Sequence, residues 1–404
     1  MLTMHEALSQ LLGSVRVIRD VETLPVSQTN GRVLARTQSA CVTVPDADNS
    51  AMDGYAFRYA DLSDVAGVLT VTQRIPAGSL GTRLGKGEAA RIFTGAPLPE
   101  GADTVVRQEW CLVEGNRLSL LRLPEKGEAV RRAGEQAKKG DPVLMAGTRL
   151  RAQHLGVAAT VGLAHLPVVR KPKVALMPTG NELVRPGEPL PPGKVYNSNC
   201  YMLKGLLEDF GCEVSDFGIV PDDFRTTCRY FVQAAAEHDL ILTSGGASVG
   251  EEDHVKHAIE TEGRLHFWKI AVKPGKPLVY GEISRQTSGN GTAIIGLPGN
   301  PVSGFVTFLL FVRPYLLAMQ GITDVTPKAL RLPCASAYPK ADERNEFLRA
   351  RINGNGEVEL FGNQGSGILS SAVWGDGLVD NPPGHTIRLG ERVRFIPFSE
   401  FWRP

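Results

Sequence analysis

At 404 residues the chain is too long for one ordinary domain core, so the sequence predicts two to four domains. Its 44 basic and 43 acidic residues give a net charge of +1, which argues against a nucleic-acid-binding protein driven by electrostatics. The six cysteines form no CxxC pair and no Cys/His cluster, which indicates reduced thiols in a cytoplasmic protein rather than a zinc site.

The first 167 residues predict a connector domain that carries an insertion. Residues 1–15 are amphipathic, lack the form of a signal peptide and predict a helix that packs on the following α/β domain. We expect residues 1–41 and 141–167 to form the two halves of one elongated connector domain. Between them, residues 42–140 contain many Gly and Pro turn signals and predict a β-rich insert domain. Its expected strands include 67–72, 104–108 and 118–123.

From residue 168 to 326 the pattern changes to alternating strands and helices, which predicts a three-layer α/β domain around a mostly parallel sheet. The expected strands are 173–177, 212–220, 240–243, 265–272, 278–283 and 293–296. The expected helices are 198–210 with Ser198 as its cap, 221–238 and 253–262. The apolar run 302–319 is interrupted by Arg313 and Pro314, so it predicts a buried core helix and no membrane span. Runs at 329–337, 346–353, 357–362 and 391–397 predict a small antiparallel, β-barrel-like domain over 327–404.

Three loops rich in Gly and Pro are the strongest functional signal: LILTSGGASVGEE at 240–252, VKPGKP at 272–277 and IGLPGNPVSG at 295–304. Glycines allow a ligand to approach the backbone, and amides at a helix N-terminus bind anions. Ligands of parallel sheets lie at the carboxyl ends of the strands, where MPTGNEL at 177–183 also falls. The sequence therefore predicts a site for a phosphorylated, oxygen-rich ligand. The expected binding residues are Thr179, Gly180, Ser244, Gly245, Gly246, Ser248, Gly250, Pro298, Gly299, Asn300, Pro301 and Ser303.

Each charged candidate has a structural alternative when its own motif is taken alone. Asp53 in PDADNSAMDGYAF contributes to a polar or metal-assisted site, or belongs to a local Asx/Ser turn. Thr94 lies on a rigid loop that can be purely structural. Glu182 contributes to the site or caps a helix. Five further acids either bind Mg²⁺ beside a phosphate or only stabilise the positive end of a helix dipole. They are Asp222, Asp223, Glu251, Glu252 and Asp253. The basic residues of RRAGEQAKKGD form an anion-binding rim or a solvated loop: Arg131, Arg132, Lys138 and Lys139.

The ordered strings resemble one known family. DNSAMDGYA, TGAPLPEGAD, RRAGE, TGNEL, YNSN, SGGASVGEEDH, WKIAVKPGKP and GLPGNPVS are similar to the molybdopterin molybdenumtransferases, the bacterial MoeA and gephyrin E-domain family. The matches span residues 46–304. The resemblance implies insertion of molybdenum from molybdate into adenylylated molybdopterin, with release of AMP and assistance by Mg²⁺.

The resemblance also implies the assembly and the site. We expect a homodimer whose site lies between the α/β domain of one subunit and the insert of the other. A molybdopterin adenylyltransferase and recipient molybdoenzymes are expected partners, and neither nucleic acid nor membrane is. The implied catalytic residues are Asp53, Thr94, Glu182, Asp253, Lys273 and Lys276, and the implied metal ligands are Glu182, Asp223 and Asp253.

Two positions depart from the family pattern. Gln136 stands where an acid usually follows RRxGE, and Asn181 replaces the acid of TGDEL. Fewer carboxylates lower the affinity for a cation and reduce repulsion of an oxyanion. The alternative function is therefore a diverged paralogue that binds molybdopterin or a partner protein without efficient insertion, or one that prefers tungstate.

Overall fold

The computed structural model of the chain describes residues 1–63, 67–246, 254–285 and 291–403. The first helix is Met4–Gly13, and Thr3 and Glu6 form a capping box at its start. Its buried residues Ala7 and Leu11 belong to the main core of the α/β region. The N-terminal helix therefore packs on that region.

Chain segments on both sides of the insert pair with each other. Val21–Pro25 runs antiparallel to His165–Val169, and Gln38–Ser39 runs antiparallel to Pro142–Leu144. Helix Ala152–Thr160 lies between these pairs in sequence. The predicted domain boundaries stay predictions.

Six strands form the insert sheet. In spatial order they are Thr104–Arg107, Gly54–Phe57, Glu88–Ile92, Val68–Ile75, Arg117–Leu120 and Cys111–Glu114. All neighbours are antiparallel except Val68–Ile75 and Glu88–Ile92. Successive side chains alternate between two small cores, so Ala56 faces one core and Phe57 the other. The third expected strand ends earlier than predicted, because Leu121 and Leu123 are exposed outside the sheet.

The central sheet also has six strands. In spatial order they are Glu213–Asp216, Lys173–Pro178, Leu240–Ser244, Thr292–Leu297, Val279–Ile283 and Gly263–Trp268. The first four are parallel, Val279–Ile283 is antiparallel to them, and Gly263–Trp268 is antiparallel to Val279–Ile283. Helix Ser198–Asp209 packs on one face, and helices Phe224–Glu237 and His254–Glu262 pack on the other. The predicted fold class, a three-layer α/β domain with a mostly parallel sheet beside β-rich regions, is confirmed.

One long helix completes the first face. It is α-helical over Pro301–Thr307, π-helical over Phe308–Val312 and α-helical again over Arg313–Met319. By length and composition it could cross a membrane, but 89% of the apolar window is buried inside the structure, as expected of a core helix. Arg313 and Pro314 do not break the helix, since the π-helical turn before them accommodates the proline.

The C-terminal sheet has the spatial order Val272–Lys273, Asn345–Ile352, Gly377–Asn381, Arg392–Pro397 and Leu330–Pro333, and Val358–Leu360 pairs with Asn345–Ile352. Short helices Ser370–Trp374 and Phe398–Phe401 accompany it. Strand Gly377–Asn381 was not predicted from the sequence. The prediction that residue 272 continues a strand of the α/β sheet is wrong, because Lys269 has a φ of 71° and ends that strand.

Two further sequence predictions need correction. The cap of helix Ser198–Asp209 is Asn197, whose side chain accepts a hydrogen bond from the Cys200 amide, and Ser198 is the first helical residue. The strand expected over 212–220 is only Glu213–Asp216. The remaining short elements are the 3₁₀ turns Val26–Gln28, Tyr59–Ser63 and Gln108–Trp110 and the strand pairs Asn49–Ser50 with Val130–Arg131 and Leu183–Val184 with Val195–Tyr196.

Candidate active site

A cavity of about 700 Å³ lies at the carboxyl ends of three parallel strands of the central sheet. We call it the glycine-loop cavity. The predicted binding residues that line it are Thr179, Gly180, Glu182, Gly245, Gly246, Pro298, Gly299, Asn300, Pro301 and Ser303. Predicted Ser244 is buried and hydrogen-bonded to lining residue Asn199. Ser248 and Gly250 lie outside the described residues.

Two glycines let neighbouring strand ends meet at the wall of this cavity. Gly245 has a φ of 95° and Gly246 a φ of 61°, both in the left-handed region. A Cβ at Gly245 would lie 2.4 Å from the Thr179 carbonyl oxygen, and one at Gly246 would lie 2.8 Å from Thr179 Oγ1. Any side chain at either position would push Thr179 out of place.

Asn199 joins two of the loops and was not predicted as a site residue. Its Nδ2 donates to Ser244 Oγ at 2.8 Å and to the Gly299 carbonyl at 2.7 Å. The residue is 8% exposed, and its Oδ1 has no hydrogen-bond partner among the described residues. Thr179 Oγ1, in a residue that is 5% exposed, also lacks one. A buried polar atom without a partner costs free energy, and both atoms belong to residues that line the cavity.

Two helices begin at the cavity. Asn197, Ser198 and Asn199 line it at the start of helix Ser198–Asp209, and Asn300, Pro301 and Ser303 line it at the start of the long helix. Helix N-termini present free amides and a positive dipole end. The convergence of two of them favours an anionic ligand, as phosphate groups require.

Two acids line the cavity on its other side. A Cβ at Gly180 would lie 2.5 Å from a carboxylate oxygen of Glu182, which places that carboxylate against the glycine. Asp222 accepts a hydrogen bond from the Asn181 amide at 2.8 Å, and Asn181 Oδ1 accepts one from the Asp222 amide at 3.2 Å. The alternative of Glu182 as a helix cap is wrong, because a turn and the short strand Leu183–Val184 follow it.

Three regions of the chain match known protein families. Residues 2–162 match the MoeA N-terminal region (domain I and II), residues 175–318 a probable molybdopterin binding domain, and residues 331–398 the MoeA C-terminal region (domain IV). The molybdopterin molybdenumtransferase of Haemophilus influenzae is 36% identical over 407 residues, which cover 99% of each chain. The chain belongs to the molybdopterin molybdenumtransferase family.

Other relatives agree with this assignment. The molybdopterin molybdenumtransferase of a Nostoc species is 38% identical over 310 residues, covering 75% of this chain and 70% of its own. The crystal structure of the molybdopterin biosynthesis moeA protein from Pyrococcus horikoshii has a TM-score of 0.85 and 31% identity, covering 98% of this chain and 100% of that one. The predicted family and the assignment to transferases of molybdenum cofactor biosynthesis are thereby confirmed.

The metal ligands implied by the molybdopterin molybdenumtransferase family do not all meet at the cavity. Glu182 lines it, whereas the Asp223 side chain caps helix Phe224–Glu237 by accepting from the Thr226 amide at 2.7 Å. Hydrogen bonds from Thr226 lower the pKa of Asp223. Asp253 lies outside the described residues, and no group of three His, Cys, Asp or Glu that could hold a metal forms within the described ones. Asp222, which the sequence offered as an Mg²⁺ ligand but the resemblance did not imply, contributes the second carboxylate of the cavity.

The two predicted lysines have different surroundings. Lys273 Nζ forms ion pairs with Asp342 at 3.0 Å and Glu346 at 2.9 Å, so it joins the C-terminal sheet to the α/β region. Partial burial lowers the pKa of Lys273, but hydrogen bonds to Glu346 and Asp342 outweigh burial and raise it above its ordinary value. Lys276 is exposed and precedes Pro277, which lines the cavity.

Asp53 and Thr94, which were predicted as site residues, contact each other in the insert. Asp53 Oδ1 accepts from the Thr94 amide and from Thr94 Oγ1, each at 2.8 Å, across 41 residues of sequence. These bonds lower the pKa of Asp53, which is therefore ionised at neutral pH. The pair is exposed, and no described residue of 42–140 lines the glycine-loop cavity of the same chain. In the basic string, Arg132 pairs with Asp48 at 2.6 Å.

The sequence contained a signal for the missed residues. The string YNSN at 196–199 precedes a helix and contains Asn197, Ser198 and Asn199, all of which line the cavity. Asp222 lies beside the predicted Asp223. Nothing local distinguishes which of the two acids caps the following helix and which turns to the cavity.

Proposed function

We propose that the chain transfers molybdenum from molybdate to adenylylated molybdopterin, releasing AMP and forming the molybdenum cofactor. The observation that carries the proposal is the meeting of two helix N-termini in one cavity with two unpartnered buried atoms, Thr179 Oγ1 and Asn199 Oδ1. Helix N-termini suit phosphate groups, and the unpartnered atoms suit a ligand with its own hydrogen-bonding ring.

The role of each group follows from its chemistry. The amides of Ser198, Asn199 and Ser303 at the start of these two helices bind the phosphate oxygens. Pro301 has no N–H, and the Val302 amide donates to the Ser366 carbonyl. Asn199 Oδ1 can only accept, so it orients a ring N–H or an amino group of the pterin. The Thr179 hydroxyl can donate or accept and holds a second polar atom of the same ligand. Because both atoms are buried, each ligand bond replaces a missing bond rather than a bond to water.

The carboxylates of the cavity fit a magnesium ion that the protein and the substrate bind jointly. Mg²⁺ in phosphate-transfer sites is usually bound by one or two carboxylates plus phosphate oxygens and water. Glu182 and Asp222 would provide the two carboxylates, and Asp253 remains a further candidate from the family resemblance. When bound, the ion would polarise the phosphoanhydride that joins the pterin to AMP.

We further propose that the working unit is a homodimer with the Asp53–Thr94 pair of one subunit at the cavity of the other. This proposal is supported by an ionised carboxylate that is exposed in its own chain and absent from the described lining of the cavity. Exchange between two inactive variants tests it. If the site is shared, mixed dimers of Asp53→Asn and Glu182→Gln contain one intact site and regain activity. If each site belongs to one chain, mixed dimers stay inactive.

The proposed reaction is tested by insertion in vitro. The purified chain is given adenylylated molybdopterin with molybdate or tungstate, with and without Mg²⁺, and AMP release and reconstitution of an apo-molybdoenzyme are measured. We expect both to require the oxyanion and to be stimulated by Mg²⁺. The adenylyltransferase that supplies the substrate and the recipient enzymes are the expected partners.

Asn181 and Gln136 favour a second candidate, a paralogue that binds molybdopterin without efficient insertion or that prefers tungstate. Asn181 sits directly against cavity acid Asp222 through two hydrogen bonds, where a carboxylate would add charge to a cation site. Gln136 is exposed in the insert. Tight pterin binding without AMP release would support the binding paralogue, and faster AMP release with tungstate than with molybdate would support the tungstate preference.

A further inference from the structure

A second polar region lies where the connector, the end of the α/β region and the last residues of the chain meet. Two cavities of about 630 and 410 Å³ share Arg149, Arg151, Glu400 and Arg403 in their walls. We call the pair the arginine cavity. The three chain segments approach closely, since a Cβ at Gly147 would lie 2.9 Å from the Gly321 carbonyl oxygen. None of its lining residues lines the glycine-loop cavity.

Arg149 and Arg151 are only partly exposed, yet neither forms an ion pair with a described carboxylate. Among the described arginines of low exposure, Arg32, Arg170 and Arg344 form ion pairs. Arg313 and Arg349 instead bond to carbonyl and hydroxyl oxygens. Arg149 and Arg151 differ from the latter two because they stay partly exposed in the wall of a cavity, where an anion from solution can compensate their charge.

The nearest carboxylate is turned away from these guanidinium groups. Asp209 accepts from Trp402 Nε1 through its Oδ2 at 3.1 Å and offers only its backbone carbonyl to Arg149 Nη2. Burial, and then the charge of Arg151, lower the pKa of Arg149, which remains protonated. The two positive charges therefore repel each other, and neither forms an ion pair with a described carboxylate.

Both guanidinium groups keep donors for a ligand. Arg149 uses Nε on the Gly31 carbonyl and Nη2 on the Asp209 carbonyl. Arg151 uses Nη2 on the Trp402 carbonyl at 2.9 Å. Arg149 Nη1 and Arg151 Nε and Nη1 have no partner among the described residues. Backbone carbonyls on one side hold the two planar groups in place, which is the preorganisation that oxyanion binding needs.

The charge of the wall favours an anion with two negative charges. The wall contains four basic residues, Arg149, Arg151, Arg403 and Lys328, and two acidic ones, Glu400 and Asp324. Glu400 is already neutralised by Arg403 at 2.7 Å, so its charge is not directed at the other two arginines. Fully buried Arg313 adds positive charge nearby, although its own donors are used by the carbonyls of Val325, Phe401 and Arg403.

We propose that the arginine cavity binds a small tetrahedral oxyanion, of the class of phosphate, sulfate or molybdate, between Arg149 and Arg151. Guanidinium groups match the paired oxygens of such anions, and two of them balance two charges. The proposal does not depend on the proposed reaction. The bound anion joins the connector to the α/β region and to the chain's last helix, so it stabilises their junction.

Calorimetric titration of the full chain with inorganic phosphate, sulfate and molybdate at low salt tests the proposal. Arg151→Gln should weaken binding about tenfold, as expected for losing charge-assisted hydrogen bonds. Glu400→Gln should strengthen it about threefold, because it releases Arg403 from its ion pair and raises the net positive charge of the wall. Arg117→Gln, an exposed arginine of the insert sheet, is the matched control and should change nothing. Phosphate should also raise the melting temperature of the wild type more than that of Arg151→Gln.

Arg151→Gln is expected to weaken anion binding and Glu400→Gln to strengthen it, so Glu400→Gln tests the proposal even if Arg151→Gln is poorly folded. Equal anion affinities in wild type and Glu400→Gln, or an unchanged affinity in folded Arg151→Gln, would overturn the proposal. Crystals soaked in molybdate provide a direct readout through the anomalous signal of molybdenum. A peak within hydrogen-bond distance of Arg149 and Arg151 supports the site, and a peak confined to the glycine-loop cavity contradicts it.

Discussion

The glycine-loop cavity contains buried polar atoms without partners among the described residues, and the arginine cavity contains two guanidinium groups without a described ion-pair partner, but the chain assembles the two cavities differently. The first collects loops that each follow a strand of one sheet, so a common edge brings them together. The second collects residues near 149, 324 and 400, which share no sheet and no local motif. The comparison teaches that loop chemistry can be predicted when a regular sheet orders the loops. A site at a junction of distant segments leaves no comparable signal.

The largest expected effect tests whether the unpartnered atoms of the glycine-loop cavity serve the reaction. Asn199→Ala removes the bonds to Ser244 and Gly299 together with the free Oδ1. We expect kcat/KM for AMP release to fall about 100-fold, in the range seen when a preorganised hydrogen-bonding group is lost. The exposed Asn355→Ala is the matched control and should retain full activity. A folded Asn199→Ala enzyme within threefold of wild type would mean that these atoms serve only the loops.

The second prediction separates two contributions to the loss of stability when a glycine is replaced: its positive φ and its close packing at the wall of the glycine-loop cavity. Gly246→Ala should lower the free energy of unfolding by about 2–4 kcal/mol, through its positive φ and contacts of 2.8 Å with both Thr179 and Val255. Gly193→Ala has a φ of 79° and open space around its Cβ, so it should cost only about 1 kcal/mol. Urea unfolding of both variants measures the difference. Equal losses would show that the close contact with Thr179 is relieved at no cost.

A third prediction concerns Lys273, which the sequence assigned to the catalytic site and the fold pairs with the C-terminal sheet. The pKa of Asp342 is lowered, mainly by hydrogen bonds from Arg344 and further by Lys273. A lowered folded-state pKa contributes stability above the unfolded value of about 3.9, and this stability is lost as the pH falls. We therefore expect the free energy of unfolding to decrease below about pH 4 in the wild type, and less steeply in Lys273→Met.

Lys273→Met also removes a partner of the buried residue Glu346. Glu346 is 1% exposed, and Lys273→Met leaves it with Tyr338 and Asn381 as its side-chain partners among the described residues. Lys340→Met changes an exposed lysine of the same sheet region and serves as the control. Unfolding is followed by intrinsic tryptophan fluorescence between pH 2.5 and 7. If Lys273→Met and wild type have parallel pH profiles, Lys273 does not contribute to the lowered pKa of Asp342.

The smallest expected effect tests whether Asn181 and Gln136, which stand where the family usually has acids, lower the affinity for Mg²⁺. Asn181→Asp places a carboxylate beside Asp222, so Mg²⁺ affinity should rise about threefold in calorimetric titrations. Gln136→Asp is expected to change Mg²⁺ affinity only where the insert of a second subunit reaches the cavity. Identical affinities in wild type and both variants would remove any role for these positions in cation binding.

Much of the fold could be predicted because periodicity and turn signals are local. The alternation of strands and helices over 173–319 gave the three-layer arrangement, and the boundaries of most elements were close. Errors arose where tertiary contacts decided. Val272–Lys273 pairs with the C-terminal sheet instead of continuing a strand, and Gly377–Asn381 lacked a distinct pattern of its own. Asn197 rather than Ser198 is the helix cap because only its side chain reaches the Cys200 amide.

The candidate site shows the same division. Gly245, Gly246 and the PGNP loop could be predicted because backbone requirements restrict which residues fit. Asn199 could not, because its partners Ser244 and Gly299 lie 45 and 100 residues away. Asp222 and Asp223 are adjacent acids, and only the folded chain assigns one to the cavity and the other to a helix cap.

The sequence by itself determined the family, the α/β class and the loops that carry the ligand chemistry, because each depends on residues close together in the chain. Tertiary structure alone decided which polar atoms stay without partners, that Lys273 pairs with Asp342 and Glu346, and that Arg149 and Arg151 share a cavity. These features depend on distances between segments far apart in sequence. Burial and pairing are properties of those distances, and no local pattern encodes them.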